Sequence, residues 1–444
     1  MAERVGQLQG EGRMVDNLES WRRRLGLAQK NTKSPQELYQ EREKRIADVV
    51  SLKVPDRVPL RFSLAYFPAK YCGITTKAAF YDAAQWKWAC KKTLVDFDAD
   101  CYLPSTGVGS GEAMEILGVR TVRWPGHGVS DYSSHQSIEM EPMKQEEYDE
   151  FLADPSDFIM RKFIPRVCDA GSAFTKWPAF RSLTSGNALP MLASRLADPE
   201  QIEFLDKMVK AGKAAAAMQK EMSTFDAEME ALGQTNLSPG GAGAPFDIVS
   251  DSLRGMRGAM MDMYRVPDKL VKVCEMYVNQ SLERAAMFAK NSKNKRVFMA
   301  LHRGSDGFMS IDQFKTFYWP TYKKVVMGLI DMGLTPVPFY EGIWNQRLEF
   351  LREFPKGKTI AHFAQTDMRK AKEVLGGHTC IMGDVPSSIL QVGTVEKVED
   401  YCKRLIDDCG KGGGLIVTHM PIDDADPKLV RAMIDFVRTY GVYK

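Results

Sequence analysis

The chain has 444 residues, with 60 Lys and Arg against 57 Asp and Glu, giving a formal net charge of +3. Hydrophobic residues make up 44% and charged residues 26%, ordinary globular values that exclude disorder, collagen and coiled coil. The near-neutral balance argues against a nucleic-acid binder that works by counterion release. No apolar run approaches the ~20 residues of a membrane helix.

Residues 1–50 read as an N-terminal helical extension, very polar up to about residue 33. The opening segment is charged throughout and has no apolar signal core, so a cytoplasmic location is expected. Eight cysteines with no CxxC pair fit that compartment. Ser34-Pro35-Gln36-Glu37 is a capping box with proline at the first helical position, and it opens a helix to about Leu52.

Residues 51–444 are expected to form one unit. Val58–Leu64 reads as a strand, followed by helices over Thr76–Tyr81 and Ala84–Phe97. The stretch 101–185 begins with a short strand at 101–105. It then becomes rich in turn signals and reads as an insertion. A long helix is expected over 200–231, then a strand over Glu230–Leu237 that runs into the Gly/Pro loop 238–243.

From 296 the pattern becomes regular. Strands are expected at Arg296–His302, Leu334–Glu341, Lys358–Phe363, Thr379–Asp384 and Gly413–His419. Helices alternate with them at Ser310–Met332, Gln346–Phe354, Met368–Leu375, Glu396–Cys409 and Pro427–Tyr440, the last capped by Asp426. The strands are nearly continuous apolar runs, as parallel strands buried on both faces require. With the three earlier strands added, the expected fold is an α/β class (β/α)8 TIM barrel with an N-terminal helical extension and an insertion in its first half.

No nucleotide-binding loop supports an open doubly wound sheet. Gly107-Val108-Gly109-Ser110-Gly111 lacks the GxGxxG spacing, and Gly357-Lys358-Thr359 is preceded at position 352 by arginine where a phosphate loop has glycine.

Catalytic side chains of a parallel barrel stand at the C-terminal ends of its strands. Read in order, those ends deliver His302, Tyr340-Glu341, His362, Asp384 and His419. A single strand-end histidine is more often a satisfied hydrogen-bonding residue than a ligand. However, three of the six histidines in the chain fall at such ends. His, Glu and Asp on adjacent strands are what a divalent metal with an open position uses, zinc by default. Trp344, just beyond a strand end, is the aromatic residue expected to line a flat apolar pocket, with Tyr340 beside it.

Several runs resemble the uroporphyrinogen decarboxylase superfamily, and within it the corrinoid-dependent methyltransferases. They are Lys358-Thr359-Ile360-Ala361-His362-Phe363, Cys380-Ile381-Met382-Gly383-Asp384-Val385-Pro386, Val392-Gly393-Thr394-Val395-Glu396, Tyr401-Cys402-Lys403 and Gly412-Gly413-Gly414-Leu415-Ile416-Val417. Pro245-Phe246-Asp247 and Asp262-Met263-Tyr264 add to it, and the resemblance covers about 50–444. It implies a (β/α)8 barrel. The arginine-rich segment of the decarboxylase itself is absent, since the corresponding stretch begins Arg61-Phe62-Ser63-Leu64-Ala65. The cysteine zinc ligands of the branch that methylates coenzyme M are also absent, with Ala364 and Met420 near the relevant positions.

The chain is similar to a third branch, enzymes that demethylate phenyl methyl ethers, some of which carry a Glu-x14-Glu-x20-His zinc motif. Glu341 and His362 have its second spacing, while Val326 stands where its first glutamate would be. The resemblance therefore implies transfer of a methyl group from a small O-methylated, aromatic substrate to the cobalt of a cobalamin-type corrinoid on a partner protein. Glu341, His362 and Asp384 are the expected catalytic residues. Zinc is expected on Glu341 and His362, with His302 or Asp384 as the third ligand. Substrate is expected against His302, Tyr340, Trp344 and His419. No nucleic acid or membrane partner is expected, and a homodimer is implied by the resemblance alone. The alternative is a decarboxylase or lyase of the same superfamily acting on a small carboxylated substrate.

Overall fold

The computed structural model describes residues 33–104 and 109–444. The polar segment 1–32 and the first glycine of the 107–111 run lie outside the described residues.

Helix α1 (Pro35–Val50) starts where its capping box places it, with Ser34 and Glu37 exchanging side-chain and backbone hydrogen bonds. Strand β1 (Arg61–Ser63) follows, then α2 (Ala83–Phe97) and β2 (Cys101–Leu103), which pairs parallel to β1. The insertion contains a small three-stranded sheet of β3 (Val122–Pro125), β4 (Gly128–Val129) and β5 (Gln136–Ser137), together with short helices. The long helix expected over 200–231 is divided into α3 (Pro199–Met222) and a separate helix over Phe225–Ala231. The start of the expected Glu230–Leu237 strand is therefore helical, and in that stretch only Asn236 makes a β-bridge. Gln234, Thr235 and Asn236 are polar, which removes the apolar run that a strand signal needs.

The regular half follows the expected alternation. Strand β6 (Gly240–Gly241) leads through α4 (Gly255–Arg265) and α5 (Pro267–Asn291) to β7 (Arg296–Leu301) and then α6 (Trp319–Asp331). Next come β8 (Thr335–Tyr340), β9 (Ile360–Phe363), α7 (Met368–Leu375) and β10 (Cys380–Val385). Helix α8 (Val395–Cys409), β11 (Leu415–His419) and α9 (Pro427–Tyr440) complete the chain. Asp426 caps α9 by accepting from the backbone N–H of Lys428. The segment expected as helix over Gln346–Phe354 is a 3₁₀ helix, Leu348–Glu353.

Strands β6 to β11 form one parallel sheet in chain order, and β1–β2 form a second. Single parallel bridges link the two sheets, Leu60 before β1 with Val417 of β11, and Tyr102 of β2 with Asn236 in the segment that leads to β6. The arrangement is a TIM-barrel-like α/β fold without a continuous ladder around the whole ring.

Strand alternation sorts the residues into two faces. Cys101, Leu237, Val337, Ile360, Cys380, Met382 and Ile416 share one buried cluster with Ile46 and Val49 of α1. These strand residues face the interior, and α1 closes its N-terminal end. Arg42 and Arg45 of α1 fasten it there, bonding Asp98 at 2.7 Å and Asp100 at 2.8 Å. Phe62, Val297, Met299, Leu301, Tyr340, Phe363 and Val417 belong to the larger outer cluster beneath the helices. Toward the opposite, C-terminal end, the inward residues Phe298, Ala300 and Phe339 are only half-buried, whereas their outward neighbours are buried. The interior is therefore open at its mouth.

Candidate functional site

Two groups of polar side chains stand at this open end. The first surrounds His302. After β6 the chain enters a short helix, Pro245–Ile248, and then a π-helical turn, Val249–Leu253. Such wide turns recur at functional sites because they re-aim side chains. Here the turn carries Ser250 and Asp251 toward the end of β7. Nδ1 of His302 lies 2.5 Å from Asp251, and Nε2 lies 3.8 Å from the carboxylate of Glu341. Arg303 holds the other oxygen of Asp251 at 2.9 Å and donates to Ser250 at 3.1 Å. Asp251 therefore accepts from both residues and fixes His302 with Nδ1 protonated, leaving Nε2 toward Glu341.

Beneath this group lies Asp247, buried and accepting from the backbone N–H groups of His302 (3.0 Å) and Arg303 (2.9 Å) and from the Tyr318 hydroxyl (2.7 Å). Burial, with the negative charge of Asp251 nearby, pushes its carboxyl up to about 6. The bond to Asp251 pulls His302 the other way from burial, so its imidazole binds a proton more tightly than usual. Gly304 permits the close turn after β7, since a Cβ there would collide with the ring of Trp344. Gly342, at φ 76°, does the same after Glu341.

The second group lies inside the barrel. His362 pairs in register with Phe339 and Met382, one inward step below Glu341. Its Nε2 is 3.5 Å from Nη2 of Arg61, and its ring lies against that of Phe339 with centroids 4.5 Å apart. Arg61 also donates through Nε to the Thr418 hydroxyl at 2.9 Å. Burial and the guanidinium charge hold the His362 imidazole well below its ordinary range, so it is neutral.

The expected metal ligands are thus divided. His302 and Glu341 are brought together, whereas His362 sits deeper beside a permanent cation. Among the described residues no group of three or more His, Cys, Asp or Glu side chains is placed to hold a metal ion. The set Glu341, His362 and His302 does not fit zinc as arranged here, and a guanidinium at the Nε2 of His362 is the wrong neighbour for a cation.

Asp384 is separate again. Its carboxylate accepts from the Tyr401 hydroxyl of α8 at 2.8 Å. It lines a cavity of about 360 Å³ with Asp367, Arg369 and Arg404. Burial pushes it up to about 7, against the opposing tyrosine bond.

Three residues expected to contact substrate are occupied elsewhere. Tyr340 is buried on the outer face, sharing a 2.8 Å bond with the Tyr322 hydroxyl. Trp344 is also buried, donating to the Glu341 carbonyl at 2.9 Å and packed on Phe314, Tyr318 and Tyr340. His419 lies on the outer face against Phe62. It accepts from the Ser63 N–H at 3.2 Å through Nε2 and donates through Nδ1 to the Met420 carbonyl at 2.8 Å. For Tyr340 and His419 the physical reason is alternation: a residue adjacent to an inward one points outward.

Sequence reasoning missed Asp251 and Asp247 as site residues, because neither stands at a strand end. Asp247 does fall within the Pro245-Phe246-Asp247 run, and two carboxylates four residues apart beyond a Gly-rich turn were the available signal.

A family model described as uroporphyrinogen decarboxylase (URO-D) matches residues 182–440. No curated protein matches the chain. Among solved structures, a methyltransferase from Methanosarcina mazei is similar with a TM-score of 0.57 at 14% identity, over 90% of this chain and 98% of that one. At that identity the likeness concerns the fold. A B12-independent methionine synthase from Shewanella sp. W3-18-1, in complex with selenomethionine, aligns over 45% of this chain and 59% of its own with a TM-score of 0.32 at 12% identity. That alignment is too loose to carry an argument. No helix among the described residues is long and apolar enough to cross a membrane.

Proposed function

The chain belongs to the uroporphyrinogen decarboxylase family, and from that premise we propose that it is an enzyme that transfers a methyl group from a small O-methylated aromatic substrate to a corrinoid carried by a partner protein. We read the two bridges between the sheets as closure of a (β/α)8 barrel whose open end receives the substrate. The observation that carries the reading is the position of His302, held by Asp251 on one nitrogen and facing Glu341 with the other.

Cleaving an aryl or alkyl ether by methyl transfer leaves the electron pair of the C–O bond on oxygen, and that oxygen is a poor leaving group unless it is protonated. His302, with its proton affinity raised by Asp251, is suited to donate from Nε2. Asp251 keeps the ring oriented, and Glu341 faces the nitrogen that must regain the proton. A reduced corrinoid would supply the nucleophile for the methyl carbon. The half-buried Phe298 and Phe339 offer an apolar wall for the ring. The donor set among the described residues does not assemble a metal site, so the proton on the leaving oxygen comes from His302.

The test is anaerobic mixing of the protein with a reduced corrinoid protein and a panel of methoxylated aromatics, following the corrinoid spectrum. Methylation that falls by ~10²- to 10⁴-fold in His302→Gln supports the reading. No spectral change across the panel overturns it. The second reading, a decarboxylase or lyase acting on a small carboxylate, is favoured by the buried Asp384 with its raised proton affinity beside Tyr401. Release of CO2 without corrinoid would select it.

A further inference from the structure

Helix α3 carries two apolar rows. One, with Phe204 and Ala211, is buried on the side where the helix packs against α2 and the helix Gly111–Leu117. The other contains Ile202, Leu205 and Val209, which are 55%, 36% and 55% exposed, with Met208 beside them at 43%. It continues through Gly212 and Ala216, both exposed. Positions 202, 205, 209, 212 and 216 alternate steps of three and four, the spacing of a seam along which one helix meets another. The preceding helix, Ala188–Leu196, buries no residue and leaves Leu189 and Met191 in solvent as well. A single exposed leucine is ordinary, whereas a continuous row marks a contact surface.

Glycine inside a helix is costly relative to alanine. Gly212 stands in the middle of α3, and a Cβ added there would meet nothing within 4 Å. Nothing in the same chain requires the missing side chain, but a second helix crossing at that point would. The charges identify that helix. From Asp198 to Val209 there are four acids and one lysine, and from Lys210 to Glu221 three lysines and one glutamate. A helix's own dipole accounts for such charges only in the first and last turns. Asp206 and Lys213 stand in mid-helix, seven residues apart, and so flank the apolar row on the same side.

We propose that α3 pairs antiparallel with α3 of a second copy of this chain, about a two-fold axis near Lys210. Val209 of each copy then packs into the gap left by Gly212 of the other, and Asp206 of each faces Lys213 of the other. A parallel pair would set the two acidic halves together. The antiparallel arrangement is self-complementary, as a two-fold interface must be.

The experiment is sedimentation equilibrium of the full chain over about 1–100 μM, the range suited to a seam smaller than the ~800 Å² per partner of a standard interface. A monomer–dimer equilibrium is expected. Val209→Glu, at a position exposed in the single chain, should weaken it by about tenfold or more with unchanged circular dichroism. Asp206→Lys should also weaken it, by placing lysine against Lys213. Asp206→Lys combined with Lys213→Asp should restore it, a rescue that the antiparallel register requires. A chain that stays monomeric throughout overturns the proposal and leaves the row to a different protein. A dimer unaffected by Val209→Glu, or a double variant no tighter than Asp206→Lys alone, overturns it too. If Val209→Glu does not fold, the charge reversal, made on the solvent side, decides. No substrate or corrinoid is present, so the outcome is independent of the proposed methyl transfer.

Discussion

Asp251 reaches Nδ1 of His302 across 2.5 Å, from a π-helical turn 51 residues earlier in the chain. Because that bond is the main reason the imidazole holds its proton, Asp251→Asn is expected to lower the His302 pKa toward its ordinary value near 6.5. The acid form would then be scarcer at neutral pH. Methyl transfer should fall by about tenfold to a hundredfold, a part of what general acids contribute, and its pH optimum should move to lower pH. Histidine NMR titration checks the first expectation and a pH–rate profile the second. An unaltered titration would remove Asp251 from the role assigned to it.

His419 is buried and neutral, its pKa depressed to about 4 by burial. In the unfolded chain it titrates near 6.5. Between those values the unfolded state binds the extra proton, so the contribution is intact above pH 6.5 and is lost as pH falls toward 4. The loss amounts to about 3 kcal/mol. Replacing His419 with Gln should cost stability at pH 7, since the Ser63 and Met420 bonds are disturbed. The variant's fall in stability below pH 6.5 should be shallower by about one proton. Parallel pH profiles from urea unfolding would show that His419 does not titrate as described.

The alternation of α and β after residue 296 was legible because buried parallel strands are written as apolar runs bounded by capping and turn residues. Asp426 and Ser34 illustrate this, each capping the helix expected of it. The strand ends were also legible, and they yielded the His302–Glu341 approach. What the strand ends did not show was facing. Tyr340 and Glu341 are neighbours and cannot both point inward, and the same parity turns His419 out while Thr418 turns in. Counting by twos from Val337 and Ile416 would have separated them. Asp251 was not legible because its place depends on a local π turn, and no residue pattern specifies such a turn. Arg61 was noted only as the start of a stretch lacking the decarboxylase arginines. That its partners among the described residues are Thr418 and His362 and no carboxylate is a property of three-dimensional packing.

Asp384 gives a pH dependence of the opposite sense to His419. Its carboxyl is raised to about 7 by burial, while an unfolded aspartate titrates near 3.9. Between these values the folded state retains a proton that the unfolded state has lost, so stability from this group declines as pH rises through 7. Asp384→Asn removes the cost of the buried charge and keeps an oxygen to accept from Tyr401. The variant is expected to be more stable than the parent above pH 7 by about 1–3 kcal/mol, and nearly equal to it at pH 4. Thermal melts at the two pH values test this. A variant destabilised at pH 8 would mean that the charged carboxylate has a partner it needs.

Ile46 tests whether α1 is the plug of the barrel or an attached extension. Its side chain is fully buried, in the cluster that contains Ile360, Cys380 and Ile416 from three successive strands. Truncation to alanine would leave a cavity that those strands cannot close, because the ring fixes their spacing. A loss of about 2–4 kcal/mol is expected for Ile46→Ala, with a single cooperative transition retained. Since α1 closes the N-terminal end, opposite His302 and the open mouth, methyl transfer should be unchanged in the folded variant. A small loss of stability, or a separate early transition for α1, would show that the helix is peripheral and that the inner strand residues form their core without it.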